Sequence, residues 1–330
     1  METAMDRAEN IYVFIEQRCG IPIPLSYELL GEAVRLAVPS NRKVCALLLE
    51  ENDNMDMLFH YGADEIHILA PSNQEECLED VAIQRISRFL KEQMPDIFLV
   101  GSTMFGKSIV AGLAGVLQTG LTADCTGLKI KDGLLWQTRP AFEGDMFATI
   151  VCRHKRPQMA TVRAGVMKPI KPDRARTGQL FRHLTDKHTS GIYEIIKRVP
   201  LEEKASRLEK AKIVVGIGMG IASKRNIDEL REKAGQIGAV IGATRAVVDS
   251  GLLPAQYQIG LTGTSICPEL YIACGVSGST QHMSGVSAKM LIAVNKDRHS
   301  PIFQYAHYGI VADAMSVVPI LLEKAARRIG

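Results

Sequence analysis

The sequence predicts an α/β protein in two parts: a parallel sheet covered by helices and carrying an antiparallel addition, then a second α/β unit with its own sheet. Three observations predict it. Through the first hundred residues short β-rich runs alternate with amphipathic segments, the pattern of strands joined by crossover helices. From Thr119 the runs shorten to period two, with Lys131-Asp132-Gly133 as a hairpin signal between two of them, as antiparallel neighbours require. At Lys212, beyond a basic, proline-containing and mostly polar stretch, an apolar run followed by spaced glycines restarts the α/β alternation.

The elements follow in order. Ile11 to Ile15 is the first strand, and Pro24 and Ser26 open a helix through Ala37 in which Leu29, Leu30, Ala33, Val34 and Leu36 keep helical spacing. Val44 to Leu49 is a second strand, Asn54 to Tyr61 a short helix closed by Gly62, Glu65 to Leu69 a third strand, and Ser72 to Gln93 a longer helix. Asp96 to Gly101 is a nearly all-apolar strand, and Gly101-Ser102-Thr103 leads into a helix from Lys107 to Leu117. That junction reads as a strand-to-helix turn capped by Ser or Thr, because its spacing is not that of a P-loop. Cys125 to Ile130, Leu134 to Arg139, Phe147 to Val151 and Met159 to Arg163 form the antiparallel addition. Lys168 to Arg182 and the polar stretch to about Lys210 carry few apolar residues, so they read as a connector or a partner-wrapping arm. In the second unit Ile213 to Ile217 is a strand, Ser223 to Ile237 a helix and Ala239 to Ala243 a strand. Strands at Tyr271 to Val276 and Leu291 to Val294 and a helix from Met315 to Arg328 complete it.

A chain of 330 residues exceeds what one core usually supports. The boundaries expected are a first domain over 1–195, a linker over 196–210 and a second domain over 211–330. Lys plus Arg exceed Asp plus Glu by 39 to 36 and are scattered, which gives no reason to expect nucleic acid. The seven cysteines, Cys19, Cys45, Cys77, Cys125, Cys152, Cys267 and Cys274, lie far apart with no C-x-x-C pair, as buried thiols in a reducing compartment would. No apolar run reaches the roughly 18 residues that span a bilayer, and METAMDRAEN carries no apolar signal core. A cytoplasmic protein without membrane insertion is expected.

The chemistry concentrates between Gly260 and Asp297, where Thr, Ser, Gln, His and Asn sit at the ends of apolar runs. In open α/β sheets ligands bind at the carboxyl ends of strands. Arg245, directly after a strand, offers a planar, always charged fork suited to phosphate or to negative charge spread over a ring. Thr262 lies between Gly260 and Gly263, where the backbone permits close approach. Ser277-Gly278-Ser279-Thr280-Gln281-His282 is a donor-rich loop opening a helix, and Asn295 and Asp313 can bond to sugar hydroxyls. Singly, each has an ordinary structural reading as a surface ion pair, a turn or a satisfied neighbour; together they point to a phosphate-bearing aromatic ligand. The turn Gly216-Ile217-Gly218-Met219-Gly220 resembles a dinucleotide fingerprint only weakly, since that pattern wants its third glycine one residue later and an acidic residue about twenty positions on. No G-x-S-x-G elbow, paired carboxylates or metal-ligand spacing is present, so redox or binding fits better than hydrolysis and no metal is expected.

The segments GATRAVVDSGLLP (242–254), QIGLTG (258–263), PELYIACGVSGSTQH (268–282), IAVNKD (292–297) and PIFQYAHYGIVAD (301–313) strongly resemble the alpha subunit of electron transfer flavoproteins. The first half resembles the same family through YVFIEQR (12–18), TGLTADCTGL (119–128), TRPAF (138–142) and RPQMATVRAGVMK (156–168), in forms nearer its bacterial and anaerobic members. The resemblance implies an N-terminal α/β domain for partner docking and a Rossmann-like FAD-binding α/β domain completed by a separate beta subunit. It implies that Arg245 lies against the flavin ring and favours its anionic reduced forms, as a fixed cation in a partly dry pocket should. Thr262 would bond near N5 and His282 near O2, both tuning electron affinity. Gly260, Ser277, Gly278 and Gln281 would line the phosphates and ring edge, and Asn295 and Asp313 the adenosine end, with Thr244, Ile259, Leu261, Ser279, Thr280 and Ala314 completing the cofactor contacts.

Five places depart from the family. Leu261 stands for Gln, Thr264 for Lys, Met219 for an Arg of some relatives and His307 for Asp, while Glu143 and Asp145 replace Gly and Asn in the hairpin loop. A less positive pocket follows, with FAD held more loosely or at a lower potential. Three functions are implied or left open. The first is an electron carrier, not an enzyme by itself, between a flavin dehydrogenase of acyl-CoA type and another redox partner such as a quinone oxidoreductase. The second is the alpha chain of a bifurcating complex in which a second FAD, in the beta subunit, takes hydride from NADH and serves ferredoxin. The third is a nucleotide-binding assembly subunit without redox activity.

Overall fold

The computed structural model describes residues 10–18, 20–51, 54–69, 78–141, 146–183, 196, 208 and 210–329. Cys19, Cys77, Glu143, Asp145, the amino-terminal nine residues, the expected helix start at 72–77 and most of the expected linker lie outside them. The chain divides into two compact units, 1–196 and 197–330.

In chain order the first unit holds β1 (Ile11–Phe14), β2 (Gln17–Arg18), β3 (Ile21–Pro22), α1 (Pro24–Ala37), β4 (Val44–Leu48), α2 (Asp56–His60), β5 (Glu65–Ile68), α3 (Glu79–Gln93), β6 (Ile97–Gly101) and α4 (Met104–Leu117). It continues with β7 (Leu121–Cys125), β8 (Gly127–Lys131), β9 (Leu134–Ala141), β10 (Met146–Ile150), β11 (Gln158–Val162) and β12 (Gln179–Arg182). Seven of these strands form one sheet in the order β12-β5-β4-β1-β6-β11-β7, every pair parallel. Apolar side chains fill both of its faces, as a parallel sheet under helices demands. Strands β10, β9 and β8 make a separate antiparallel sheet, turned at Asp132 and Gly133, both at positive φ.

Two expectations are corrected here. The run at Met159 to Arg163 belongs to the parallel sheet as β11, not to the antiparallel addition. Gln158, the first residue of β11, is buried because its amide accepts from Leu135 N at 2.7 Å and donates to Asp96 at 3.1 Å. The segment Lys168 to Arg182 is no connector. A Cβ on Gly31 would stand 2.4 Å from the Lys168 carbonyl, Asp173 N donates to His60 O at 2.9 Å, and β12 extends the sheet beyond β5. The turn before α4 behaves as expected: Thr103 Oγ1 accepts from Gly106 N at 2.8 Å and caps the helix.

The second unit holds β13 (Ile213–Ile217), α5 (Lys224–Gln236), β14 (Val240–Ala243), α6 (Arg245–Asp249), β15 (Leu270–Cys274), α7 (Thr280–Met283), β16 (Met290–Asn295), α8 (Ile302–Tyr305), β17 (Tyr308–Val311) and α9 (Ala314–Ile329). Its sheet runs β14-β13-β15-β16-β17, all parallel. The order is that of a doubly wound fold whose direction of winding reverses between β13 and β15. Helices α5 and α9 cover one face with the apolar cluster of Ile227, Leu230, Val318 and Leu322. No helix among the described residues is long and apolar enough to cross a membrane.

Candidate functional site

Where winding reverses, the loops after adjacent strands part in opposite directions and leave a crevice. In this protein a cavity of about 630 Å³ opens there, within the roughly 300 to 1,000 Å³ of small-molecule sites. Its floor is backbone. Gly218 N donates to Cys274 O at 2.9 Å and Gly220 N to Gly275 O at 3.2 Å. A Cβ on Gly218 would come within 2.1 Å of the Gly275 carbonyl, so only glycine lets the two strand ends approach this closely. The glycine turn that reads weakly as a fingerprint therefore works as a packing device at the base of the crevice.

The structure brings Thr244, Arg245, Ile259, Gly260, Leu261, Thr262, Ser277, Ser279, Gln281, His282 and Asn295 into the lining of this one cavity. Gly278, Thr280, Asp313 and Ala314 do not line it. Gly278 packs against the Ile302 backbone and Ala314 is buried in the core. Asp313 accepts from Met315 N at 3.1 Å at the start of α9 and pairs with Lys296 at 3.1 Å. Asn295 lines the cavity yet spends its amide on the chain: its NH2 donates to Val276 O at 2.9 Å and Ser300 Oγ at 3.1 Å, and its carbonyl accepts from Asp297 N at 3.0 Å. It fastens the Ser277 and Ser300 loops to each other. Gly218, Gly220, Gly275, Ala246, Asp249, Gln258, Asp297 and Ser300 join the lining although the sequence singles out none of them as a ligand contact, Gly218 and Gly220 being marked only by their weak fingerprint. Their only sequence signal is glycine or polarity just past a strand.

His282 departs from the role expected of it. The ring is 4 % exposed, with Nδ1 3.1 Å from the Ile259 carbonyl and Nε2 2.7 Å from the Tyr271 hydroxyl. A carbonyl only accepts, so Nδ1 carries the proton and Nε2 accepts from Tyr271. Burial pushes this imidazole down to about 4, against the raising effect of its bond to Ile259, so it is neutral at pH 7. Both ring nitrogens are committed, and no ring N–H is left for a flavin O2. What His282 does is hold the Ile259–Gly260 backbone at the cavity wall. Gly260 itself has φ of 136°, a left-handed conformation that side chains strain to adopt.

Arg245 stands open, its side chain 68 % exposed and paired with Asp249 at 3.3 Å. The expected partly dry surroundings are not provided by this chain, so at this rim the charge is screened by water. Thr262 Oγ1 accepts from Gln258 Nε2 at 2.9 Å, which aims the hydroxyl across the 258–264 loop. Leu261 and Met219 are exposed on the rim. His307 lies outside the lining: its Nδ1 accepts from Leu291 N at 3.0 Å and its backbone N donates to Leu291 O at 2.9 Å, extending the pairing of β16 with β17 by one step. An Asp there could offer the same acceptor, so this departure leaves the cavity untouched.

A cationic fork, hydroxyls on Thr262, Ser277 and Ser279, the Gln281 amide and a glycine-bounded backbone suit a phosphate-bearing, ring-containing ligand. Comparison with known proteins gives the same direction. Residues 11–183 match the family model described as electron transfer flavoprotein domain, and residues 207–287 that described as electron transfer flavoprotein FAD-binding domain. The electron transfer flavoprotein subunit alpha of Thermoanaerobacterium thermosaccharolyticum is 41% identical over 97% of this chain and 98% of its own. Protein FixB of Clostridium saccharobutylicum is 39% identical over 96% of each. A protein of Anaerotignum propionicum called acryloyl-CoA reductase electron transfer subunit beta is 35% identical over 95% of each.

Proposed function

The chain belongs to the electron transfer flavoprotein family as an alpha-type subunit with that family's FAD-binding domain, and from that premise we propose that the cavity between β13 and β15 seats the FAD through which electrons pass. The observation that carries the assignment is convergence: eleven of the residues singled out from sequence line one cavity of about 630 Å³ at the switch point. When bound, the flavin supplies reversible one- and two-electron redox chemistry.

The residues divide the work of holding it. Ser277, Ser279 and Gln281 face the opening with exposed hydroxyl and amide groups and are the natural partners of phosphate oxygens. Gly260 lets the backbone come close to the ligand, while the Gly218–Gly220 turn, whose glycine N–H groups are bonded to Cys274 and Gly275, shapes the cavity floor. Thr262 and Arg245 flank the part of the cavity nearest α6, where a hydroxyl donor and a fixed cation favour electron-rich states of a ring system. His282 excludes water behind the Gly260 loop and positions it.

Arg245 is open to solvent in this chain, so a partner must dry the site before its charge has full effect. A beta-type subunit is that partner. The name of the Anaerotignum relative supports an acyl-CoA-type flavin dehydrogenase at one end of the electron path, with a second redox protein at the other. Copurification with the beta-type subunit tests the proposal: the heterodimer should be yellow, release FAD on denaturation and be reduced by an acyl-CoA dehydrogenase with its substrate. A colourless heterodimer that takes up no added FAD would refute it.

A further inference from the structure

The first unit contains a second cluster of reactive side chains, unrelated to the flavin cavity. Register sets Tyr12 beside Cys45 and Cys45 beside Glu65 across β1, β4 and β5. His67, two residues beyond Glu65, returns to the same face of the sheet. There Tyr12, Cys45 and Phe89 of α3 share an apolar cluster, and Cys45 and His67 are buried. Cys45 Sγ lies 3.6 Å from Glu65 Oε2, which lies 3.3 Å from His67 Nε2. One ligand atom from each of the three falls within 4.8 Å of the others.

The two separations at Glu65 Oε2, 3.6 Å to sulfur and 3.3 Å to nitrogen, match edges of a metal tetrahedron. Bonds of about 2.3 Å to sulfur and about 2.0 Å to nitrogen or oxygen put sulfur and oxygen corners ~3.5 Å apart, and nitrogen and oxygen corners ~3.3 Å apart. We infer that Cys45, Glu65 and His67 form a binding site for a divalent cation of the zinc class. Thiolate and imidazole select such a cation over magnesium or calcium, which want oxygen alone. A thiolate, a carboxylate and a dication sum to zero charge, which suits a site this deeply buried.

The outer partners are those a metal site uses. His67 Nδ1 is 3.0 Å from His183 Nε2, so a proton on Nδ1 donated to His183 leaves Nε2 bare to ligate, and metal-bound imidazoles are oriented in this way. Lys43 holds the other carboxylate oxygen of Glu65 at 2.6 Å. Tyr12 Oη, which also donates to Gln93 Oε1 at 3.5 Å, stands 3.5 Å from His67 Nε2 beside the fourth position. Occupancy would tie β4 to β5 and, through His183, the end of the edge strand β12. The spacing 45, 65, 67 matches no sequence motif for metal ligation, so the ligand set emerges only from strand register.

Cobalt(II) is the probe, because a thiolate ligand gives it a charge-transfer absorption and tetrahedral geometry gives it intense visible bands. The full chain, copurified with its partner subunit and stripped with a chelator, should take up one equivalent of Co2+ with both features. The spectrum is read against a Zn2+-loaded sample so that flavin absorbance cancels. Cys45→Ser should abolish the charge-transfer band and His67→Gln should weaken binding at least 10-fold. His183→Ala should weaken it by about 10- to 100-fold, as loss of an outer partner does, while Cys152→Ser and Cys267→Ser leave the spectrum unchanged. Absence of the band in the unaltered protein overturns the proposal without reliance on any variant. So does its survival in Cys45→Ser or its loss in Cys267→Ser. Zn2+ should raise the melting temperature of the unaltered protein, and no shift at saturating Zn2+ would equally count against the site.

Discussion

Tyr271 and His282 link the sheet of the second unit to the wall of its cavity, and both are buried. An unfolded imidazole titrates near 6.5 and this one near 4. Between those values the unfolded chain binds more protons than the folded one, so stability falls as the pH is lowered through that window and is fully present above it. The whole window is worth at most about 3 kcal/mol. Burial lowers His67 and His183 as well, so denaturant unfolding at pH 7 and at pH 4.5 should show a larger loss in the unaltered chain than in His282→Gln; equal losses in both would show that His282 is not the group responsible. Gly216 on β13 faces the same tyrosine, and a Cβ there would come within 2.0 Å of Tyr271 Oη. Gly216→Ala should cost about 1 to 3 kcal/mol as overpacking does, and a denaturation midpoint within error of the parent would mean that Tyr271 moves freely. Arg245 is the residue whose role depends on what covers it. Arg245→Ala should lower the flavin reduction potential of the heterodimer by tens of millivolts, with about 59 mV for each 1.4 kcal/mol of lost charge stabilisation in a one-electron step. Spectroelectrochemistry that finds the same potential would remove Arg245 from the neighbourhood of the ring.

At the scale of elements, helix ends carry information that sequence displays openly. Thr103 caps α4 through Gly106 N and Ser223 caps α5 through Asn226 N at 3.2 Å. Thr103→Ala should cost about 1 kcal/mol, measured by denaturant unfolding, and a change below a few tenths would mean that the Thr103 cap is energetically idle. The same openness explains why most strands and long helices are legible: they are apolar runs or amphipathic periods bounded by caps and glycines. The exceptions have physical causes. Strand β12 is concealed because Gln179, Phe181 and Arg182 of an edge strand remain exposed, so its composition is that of surface. Strand β11 looks half polar because Gln158 and Thr161 are buried with partners. Strand β17 and helix α6 are too short, at 4 and 5 residues, to show a period. The candidate site is legible to the extent that its residues sit at strand ends. The Asp249 partner of Arg245 is a local i,i+4 pair, but the pairing of Gly218 with Gly275 and the commitment of both His282 nitrogens depend on contacts between segments apart in sequence, which no local pattern encodes.

At the scale of the whole molecule, an alpha-type subunit works beside a beta-type partner, and exposed apolar surface is what such a partner would cover. The antiparallel sheet of the first unit projects Met146, Phe147 and Ile150 from β10 and Trp136 from β9, all exposed. Strand β10 is also an edge, bonded among the described residues only to β9, and an exposed apolar edge is a liability unless another chain covers it. An alpha-type subunit has such a chain available, so this sheet is the expected seat of the beta-type partner. Phe147 is 68% exposed, so Phe147→Asp should leave the stability of the isolated chain within about 0.5 kcal/mol, as surface changes do. In the heterodimer the same substitution would bury an unpaired carboxylate on the sheet face that Phe147 shares with Trp136, which costs several kcal/mol and would weaken association at least 100-fold. Sedimentation of the purified subunits together is the measurement, with flavin content as a second reading. Loss of association should carry with it loss of tight FAD retention, because Arg245 and the cavity rim would stay wet. Full association by the Phe147→Asp chain would move the partner to another face of the molecule. Association lost with FAD still tightly held would show that the second unit seats the flavin without cover.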